Sequence, residues 1–554
     1  MGSQKLSVHV HIHAAFNKLS DKIKLSCKER PVFGRMIRKR TGTTTAVTNV
    51  GTLKQIRALM IVNGFTSNVG FLRKLVLAAA MSMVGPAANA AVTQYTLQMF
   101  AQIPQPDTFM WNTIIRGSSQ SRDPSHAVAL YVQMDQRSVK PDNFTFPFVL
   151  KACTKLVWVK TGSAVHGRIL RFGLGSNVVV RNTLLLFHAK CGDLKIATEI
   201  FDDSDKRDVV AWSALIAGYA QRGDLSVARK LFGEMPNRDL VSWNVMITAY
   251  TKHGEMKCAR KLFDESPMRD VVSWNAMIGG YVLRGLNREA LELFDEMCTV
   301  GECPDEVTML SLVCACTDLG DLESGEKVHT KIMEMSEGKF STLLGNALVD
   351  MYAKCGNIRK AIHVFWLIRD KDVVSWNTVI SGLAFHGHAE ESLGLFREMQ
   401  STKVCPDEIT FVGVLAACSH VGYVDEGNRY FHLMRNKYKI EPNIRHCGCV
   451  VDMLGRAGLL KEAFDFIASM KIEPNAIIWR SLLGACKVHG DVDLAKQANE
   501  QLLRMRGNQS GDYVLLSNVY ASQGEWNGAE KIRKLMDDNG VTKNRGSSFV
   551  EAHS

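Results

Sequence analysis

The chain has 554 residues, more than one hydrophobic core organises, so we expect several domains or a repeat array. Its hydrophobic content of 46% is ordinary for a folded soluble protein. The net charge of +11 lies in the N-terminal part of the chain, where residues 1–106 hold 14 Lys and Arg against two acidic residues. The other 448 residues are nearly neutral, with 53 basic and 54 acidic residues.

The N-terminal segment has the composition of an organellar transit peptide. It contains no acidic residue between Glu29 and Asp107, and Arg35–Arg40 is followed by a threonine-rich stretch. We therefore expect residues 1–50 to be a targeting leader and the protein to be mitochondrial, with the chloroplast as the alternative. A solvated, disordered basic tail is the competing interpretation, and Met36 is a second candidate start. The apolar run at 75–92 is too short and too interrupted by Gly, Pro and Asn to predict a membrane span.

A repeat begins to be recognisable at residue 108. VVAWSALIAGYAQRGDLSVARKLFGEMPNRD (209–239) and LVSWNVMITAYTKHGEMKCARKLFDESPMRD (240–270) share one 31-residue template, and 271–305 is a 35-residue version. The same template fits 108–142, 178–208, 342–372 and 373–407, and longer, more divergent units lie at 143–177, 306–341 and 408–443.

Each unit predicts two helices. Apolar residues at helical spacing mark the first helix, as in Trp243, Ile247 and Tyr250. A glycine at the fifteenth place is expected to end it in the left-handed region: Gly192, Gly223, Gly254, Gly285, Gly356, Gly387. The second helix carries a small residue at the twentieth place and a phenylalanine four residues later. Because neither helix can bury its apolar stripe alone, stacked pairs are expected to form an α-solenoid.

Alternating lengths of 31, 35 and about 36 residues make the chain resemble plant pentatricopeptide-repeat proteins of the PLS subfamily. Tetratricopeptide repeats, the main rival, keep a constant 34-residue period. The resemblance implies an all-α fold, a right-handed α-solenoid of stacked helix-turn-helix repeats. It divides the chain into degenerate N-terminal repeats at 51–107, a PLS-type array at 108–475 and an E domain at 476–554.

In that family the fifth and last residues of a repeat contact one base of single-stranded RNA, and the second packs against the base face. Carried over, the fifth/last pairs resembling the uridine combination are Asn112/Asp142, Asn182/Asp208, Asn244/Asp270, Asn275/Asp305, Asn346/Asp372 and Asn377/Asp407. Ser213/Asp239 resembles the guanosine combination. The second-place residues expected to stack on bases are Phe109, Val179, Val210, Val241, Val272, Leu343 and Val374.

Helix capping is the competing explanation for these pairs, since Asn and Asp are good N-caps. Six recurrences at fixed offsets across variable repeat lengths favour base contact. The divergent units carry Pro147/Asn177, Leu310/Ser341 and Val412/Asn443. No base is assigned to them, although the first leans toward a pyrimidine.

The C-terminal segment resembles the E-domain motifs of RNA-editing members of the family. Such members often continue into a cytidine-deaminase (DYW) domain, whose chemistry needs HxE and PCxxC to hold an activated zinc-bound water. The 14 cysteines include no CxxC pair, and His388-Ala-Glu390 lies in a helix turn of a repeat. His9, His11 and His13 alternate as on a strand but lack a further ligand set. We therefore expect no catalytic residue, metal or cofactor in this chain.

The resemblance implies a site-recognition factor for C-to-U editing of organellar RNA. Its expected partners are single-stranded RNA, a DYW-type deaminase acting in trans and further organellar editing factors, with no membrane. In the family the last short repeat lies four nucleotides before the edited base, which predicts the target 5′-U N U G U U N U U N N N N N C-3′. The alternatives are RNA binding for transcript stabilisation or intron splicing, favoured by departures at Arg545 and Ser547 from the usual ending, and a protein-binding scaffold.

Overall fold

A computed structural model describes residues 50–62, 64, 67–84, 90–204, 207–336, 338–505 and 510–541 of the chain. Of these described residues 76% are helical, in 29 helices, and none belongs to a strand. The predicted leader, the histidines at 9, 11 and 13, Met36 and the segment 543–549 lie outside the described residues. The helices divide into two compact units, Met1–Arg269 and Asp270–Ser554.

The first unit contains thirteen of the described helices. They are α1 (Val50–Val62), α2 (Val69–Ser82), α3 (Ala90–Ala101), α4 (Thr108–Gln120), α5 (Ser125–Gln136), α6 (Thr145–Leu156), α7 (Val159–Arg171), α8 (Val178–Lys190), α9 (Leu194–Asp202), α10 (Val209–Gln221), α11 (Leu225–Glu234), α12 (Leu240–His253) and α13 (Met256–Glu265).

The second unit contains sixteen described helices. They are α14 (Val271–Leu283), α15 (Asn287–Thr299), α16 (Glu306–Leu319), α17 (Leu322–Met335), α18 (Thr342–Lys354), α19 (Ile358–Leu367), α20 (Val373–Phe385), α21 (Ala389–Ser401), α22 (Glu408–Val421), α23 (Val424–Asn436), α24 (Ile444–Arg456), α25 (Leu460–Ser469), α26 (Ala476–His489), α27 (Val492–Arg504), α28 (Ser510–Ser522) and α29 (Trp526–Asp538).

Each repeat is a pair of helices, and within each unit successive pairs stack through their first helices, such as α10 on α12 and α20 on α22. This arrangement confirms the expected all-α solenoid of helix-turn-helix repeats. No helix in the described part of the chain is both long and apolar enough to span a bilayer.

The glycine at the fifteenth place ends the first helix in most repeats as expected. Gly223 and Gly254 have φ of 86° and 85°, in the left-handed region that glycine adopts at least cost. Gly192 is the exception, because its φ is not positive and the prediction there is wrong. A Cβ at Gly192 would lie 2.7 Å from the Nδ1 atom of His188, so close approach to that ring explains the glycine instead.

Aromatic pairs join one repeat to the next. The phenylalanine of the second helix meets the fourth residue of the following repeat edge-on, with ring centroids 4.7 Å apart for Phe201–Trp212 and 5.0 Å for Phe232–Trp243. Phe365–Trp376 repeats this contact in the second unit, also at 5.0 Å. Edge-to-face packing at this distance is favourable beyond the area it buries. Within each unit the core therefore continues from one repeat to the next at these pairs, and these residues have structural roles.

Candidate nucleic-acid interface

The fifth and last residues of a repeat lie at the same end of the helix stack. The fifth residue occupies the second turn of the first helix, and the last residue begins the first helix of the next repeat. Asp208, for example, accepts a hydrogen bond from the backbone N–H of Ala211 at 2.8 Å and so caps α10. Within each unit, the stacking of first helices thus places the last residue of a repeat near the fifth residue of the same repeat.

The asparagine side chains contact their paired aspartates directly. Each Nδ2 atom donates to the carboxylate, at 2.9 Å in Asn112–Asp142, 2.7 Å in Asn182–Asp208, 2.9 Å in Asn275–Asp305, 3.3 Å in Asn346–Asp372 and 2.9 Å in Asn377–Asp407. The same geometry occurs in 31-residue and 35-residue repeats. Asn244 lies on α12 of the first unit, and Asp270 caps α14 of the second.

Capping and pairing therefore occur together, and one explanation does not exclude the other. Asp305 caps α16 by accepting from the N–H of Thr308 at 3.0 Å while it also accepts from Asn275. A carboxylate has lone pairs for both donors. Because a carboxylate only accepts, it turns the nitrogen end of the amide toward itself and leaves the second N–H of that nitrogen available for a ligand.

The pKa values of two of these carboxyl groups are lowered. Burial by itself raises the pKa of Asp305, but hydrogen bonds from Thr308 and Asn275 outweigh it and bring the pKa below its ordinary value. The pKa of Asp372 is lowered in the same way, by bonds from Ser375 and Asn346 acting against burial. Both groups are therefore ionised at neutral pH and accept without donating.

Exposed apolar side chains at the second place of each repeat lie one helical turn before the fifth residue, on the same face. Their exposed fractions range from 40% to 60% in the seven predicted stacking residues, Phe109, Val179, Val210, Val241, Val272, Leu343 and Val374. Apolar residues this exposed are outside the core. They supply a surface suited to the flat face of a base.

The divergent repeats carry the same exposed apolar residue, which the sequence interpretation missed. Phe144, Val307 and Ile409 occupy the second place of their repeats and are more than half exposed. Their position in the common template was the available signal. Repeats to which no base was assigned thus also expose an apolar residue at the second place.

The last residues of two divergent repeats have other partners. The hydroxyl of Ser341 donates to Glu306, the first residue of the same repeat. The Nδ2 atom of Asn443 donates to Glu408 Oε2 at 3.2 Å, again the first residue of its repeat. In both repeats the fifth residue, Leu310 or Val412, is apolar and offers no polar side-chain atom to its last residue.

Ser213 differs from the asparagines at the fifth place. Its hydroxyl is buried and has no hydrogen-bond partner in the described part of the chain. The paired Asp239 caps α12 by accepting from the N–H of Ser242 at 2.9 Å. A buried hydroxyl without a hydrogen-bond partner costs folding free energy.

His388 and Glu390 of the His-Ala-Glu triplet contact other side chains. Glu390 accepts from the Tyr423 hydroxyl, and His388 lies 3.4 Å from Glu391. No group of three or more potential metal ligands occurs among the described residues. In the C-terminal helices, the guanidinium of Arg480 forms a two-pronged ion pair with the buried Asp512, at 2.6 and 2.9 Å.

Comparison with known proteins adds family assignments along the chain. The family model "PPR repeat family" matches residues 106–155, 269–318 and 371–420. The family model "PPR repeat" matches residues 210–240, 241–271, 346–373 and 446–473. The family model "E motif" matches residues 489–551.

Curated relatives extend over most of the sequence. The pentatricopeptide repeat-containing protein At5g15300 of Arabidopsis thaliana is 57% identical, over 91% of this chain and 91% of the relative. The chloroplastic pentatricopeptide repeat-containing protein At1g08070 of the same plant is 38% identical, over 83% and 72%. A crystal structure of the pentatricopeptide repeat protein PPR10 with an 18-nt psaJ RNA element is 18% identical, with a TM-score of 0.46, over 89% and 78%.

Proposed function

The chain belongs to the pentatricopeptide-repeat family, in the PLS-class E subgroup of plant proteins, and from this premise we propose that it binds one single-stranded organellar RNA sequence and marks a cytidine for C-to-U editing. Each repeat would contact one base. Its role would be recognition of the site, with deamination performed by another protein.

One observation carries the proposal: the same Asn–Asp contact recurs in five repeats although their lengths differ. Core packing accounts for the Trp, Phe and Ala positions, but it does not require an amide at the fifth place of a first helix. Capping requires the aspartate and leaves the asparagine unexplained. A ligand that contacts the amide explains both residues.

The geometry suits uracil. Uracil offers the N3–H donor between two carbonyl acceptors, and a carboxamide offers one acceptor and one donor side by side. In the Asn112–Asp142, Asn275–Asp305 and Asn377–Asp407 pairs the carboxylate holds the amide nitrogen. The remaining N–H of that nitrogen would donate to a uracil carbonyl, and one lone pair of the amide oxygen would accept N3–H. The exposed apolar residue at the second place would contact the base face.

Binding is tested with 15-nucleotide RNAs of the predicted sequence, 5′-UNUGUUNUUNNNNNC-3′. We expect the full chain to bind this RNA and to lose affinity when the uridines facing the asparagine repeats are replaced one at a time. A footprint without a U-rich register, or binding indifferent to these replacements, would contradict the assignment of bases.

The editing role is supported by the E motif at 489–551. We propose that this region recruits a DYW-type cytidine deaminase in trans, together with further organellar editing factors. We propose the mitochondrion as the organelle, with the chloroplast as the alternative.

Sequencing organellar RNA from a plant lacking the protein separates the candidate roles. Loss of conversion at one or a few cytidines preceded by the predicted register is the expected result. Intact editing with a missing or unspliced transcript would assign the protein to RNA stabilisation or splicing. Absence of any RNA interaction would leave the scaffold alternative.

A further inference from the structure

Each hydrogen-bonded Asn–Asp pair is here called a node. In three of these nodes a buried threonine donates a hydrogen bond to the amide oxygen of the asparagine. The third residue of each divergent repeat donates its hydroxyl to the fifth residue of the preceding repeat, at 2.6 Å for Thr145–Asn112, 2.6 Å for Thr308–Asn275 and 2.5 Å for Thr410–Asn377. All three threonines are completely buried. Each node therefore joins two consecutive repeats through three side chains.

The threonine hydroxyl has a single proton, which it can donate either to the amide oxygen or to the aspartate carboxylate. The Oγ1 atom of Thr308 accepts from the backbone N–H of Asp305 at 3.1 Å and lies 3.1 Å from the Asp305 carboxylate. A hydroxyl has one proton, and its contact with the Asn275 oxygen is shorter by half an ångström. The threonine thus donates to the amide oxygen, while the aspartate accepts from the amide nitrogen.

Both ends of the amide are consequently held in one orientation. Turning the carboxamide of Asn275 over would place its oxygen against the Asp305 carboxylate and would break two hydrogen bonds. The Thr145 and Thr410 nodes have the same contacts with the same partners.

The Asn182–Asp208 and Asn346–Asp372 nodes, which lie in 31-residue repeats, are held at one end only. The oxygens of Asn182 and Asn346 are buried and have no hydrogen-bond partner in the described part of the chain. The corresponding third-place residue after Asn182 is Ala211, which has no hydroxyl. After Asn346 it is Ser375, whose hydroxyl bonds Asp372 at 2.9 Å. Turning over either amide also brings its oxygen against the aspartate carboxylate, but it breaks one hydrogen bond instead of two.

Amide orientation separates uracil from cytosine. Uracil carries a donor at N3, which needs the amide oxygen, and cytosine carries an acceptor there, which needs the amide nitrogen. An amide that can turn over accommodates either pyrimidine, and an amide locked at both ends accommodates uracil.

We propose that the third-place threonine is a specificity-determining positioning residue, which makes the repeats of Asn112, Asn275 and Asn377 more selective for uridine over cytidine than those of Asn182 and Asn346. The inference rests on the proposed RNA-binding function and adds a third residue, from the following repeat, to the pair that contacts the base. One additional hydrogen bond corresponds to roughly a 3- to 10-fold difference in the U:C affinity ratio.

The experiment measures the affinity of the full chain for the predicted RNA with U or C at one nucleotide. Nucleotide 6 faces the repeat of Asn275, and nucleotide 3 faces the repeat of Asn182. The unaltered protein is expected to show the larger U:C ratio at nucleotide 6. Thr308→Val should lower that ratio roughly 3- to 10-fold and leave the ratio at nucleotide 3 unchanged, whereas Thr308→Ser, which keeps the hydroxyl, should preserve both.

A gain-of-function variant covers the case in which Thr308→Val does not fold. Ala211→Thr places a hydroxyl at the matching position after Asn182 and should raise the U:C ratio at nucleotide 3. Equal ratios in all variants, in a protein that still prefers U at these nucleotides, would overturn the role of the threonine alone. An unaltered protein that does not distinguish bases at all would overturn the proposed function as well.

Discussion

Asp305→Asn separates the capping role of a last residue from its role in orienting the base-contacting amide. Asn and Asp are about equally good N-caps, so the cap on α16 should be retained and the free energy of unfolding should change by less than about 0.5 kcal/mol. The change does remove the ionised acceptor of the 2.9 Å bond from Asn275. An asparagine both donates and accepts, so either orientation of the Asn275 amide then finds a partner.

The expected loss of discrimination follows from that bond. A hydrogen bond to a charged group contributes about 1.5–3 kcal/mol, and the lower end applies here because the contact lies at the surface. About 1.5 kcal/mol corresponds to roughly a tenfold fall in the U:C affinity ratio at nucleotide 6 of the predicted RNA. Equilibrium binding to the U and C forms of the RNA measures the ratio, and thermal unfolding measures stability.

Asp321→Asn is the matched control. Asp321 caps α17, the second helix of a repeat, by accepting from Ser324 at 3.0 Å, and it has no role in a base-contacting pair. Its replacement should leave both stability and the U:C ratio unchanged. If Asp305→Asn changes the ratio by less than twofold while the unaltered protein prefers U, Asp305 is a cap only and the orientation argument is refuted.

Two further predictions concern stability. Burial, and then the neighbouring His166, lower the pKa of His188 to about 4. As the pH falls, this histidine is therefore protonated in the unfolded chain before it is protonated in the folded protein. The free energy of unfolding should fall by up to about 3 kcal/mol between pH 6.5 and pH 4. His188→Tyr, which copies the corresponding Tyr352, should flatten this dependence in urea unfolding at several pH values, and an unchanged slope would contradict the assignment. Arg480→Ala leaves the Asp512 carboxylate buried without its ion-pair partner and should destabilise the C-terminal helices by about 3 kcal/mol. Amide hydrogen exchange of these helices measures the loss. Unaltered protection from exchange would show that the ion pair contributes little to stability.

Local sequence patterns determined the helices and most of the core. Apolar residues at helical spacing and a recurring glycine define each helix pair, because these signals act within a few residues along the chain. Recurrence of the template then assigned the Trp and Phe positions to the core, and the resemblance to the family directed attention to the second, fifth and last places. For the same reason the all-α solenoid followed from the repeat before any contact was known.

Contacts between consecutive repeats decided what the sequence left open. The threonine–asparagine bonds join residues 33 positions apart, and a threonine at the third place of a helix is by itself an ordinary member of a capping box. Gly192 was assigned a left-handed turn by its place in the template, but the close approach of His188 explains it. Such features depend on how one repeat lies against the next, which only the tertiary structure specifies.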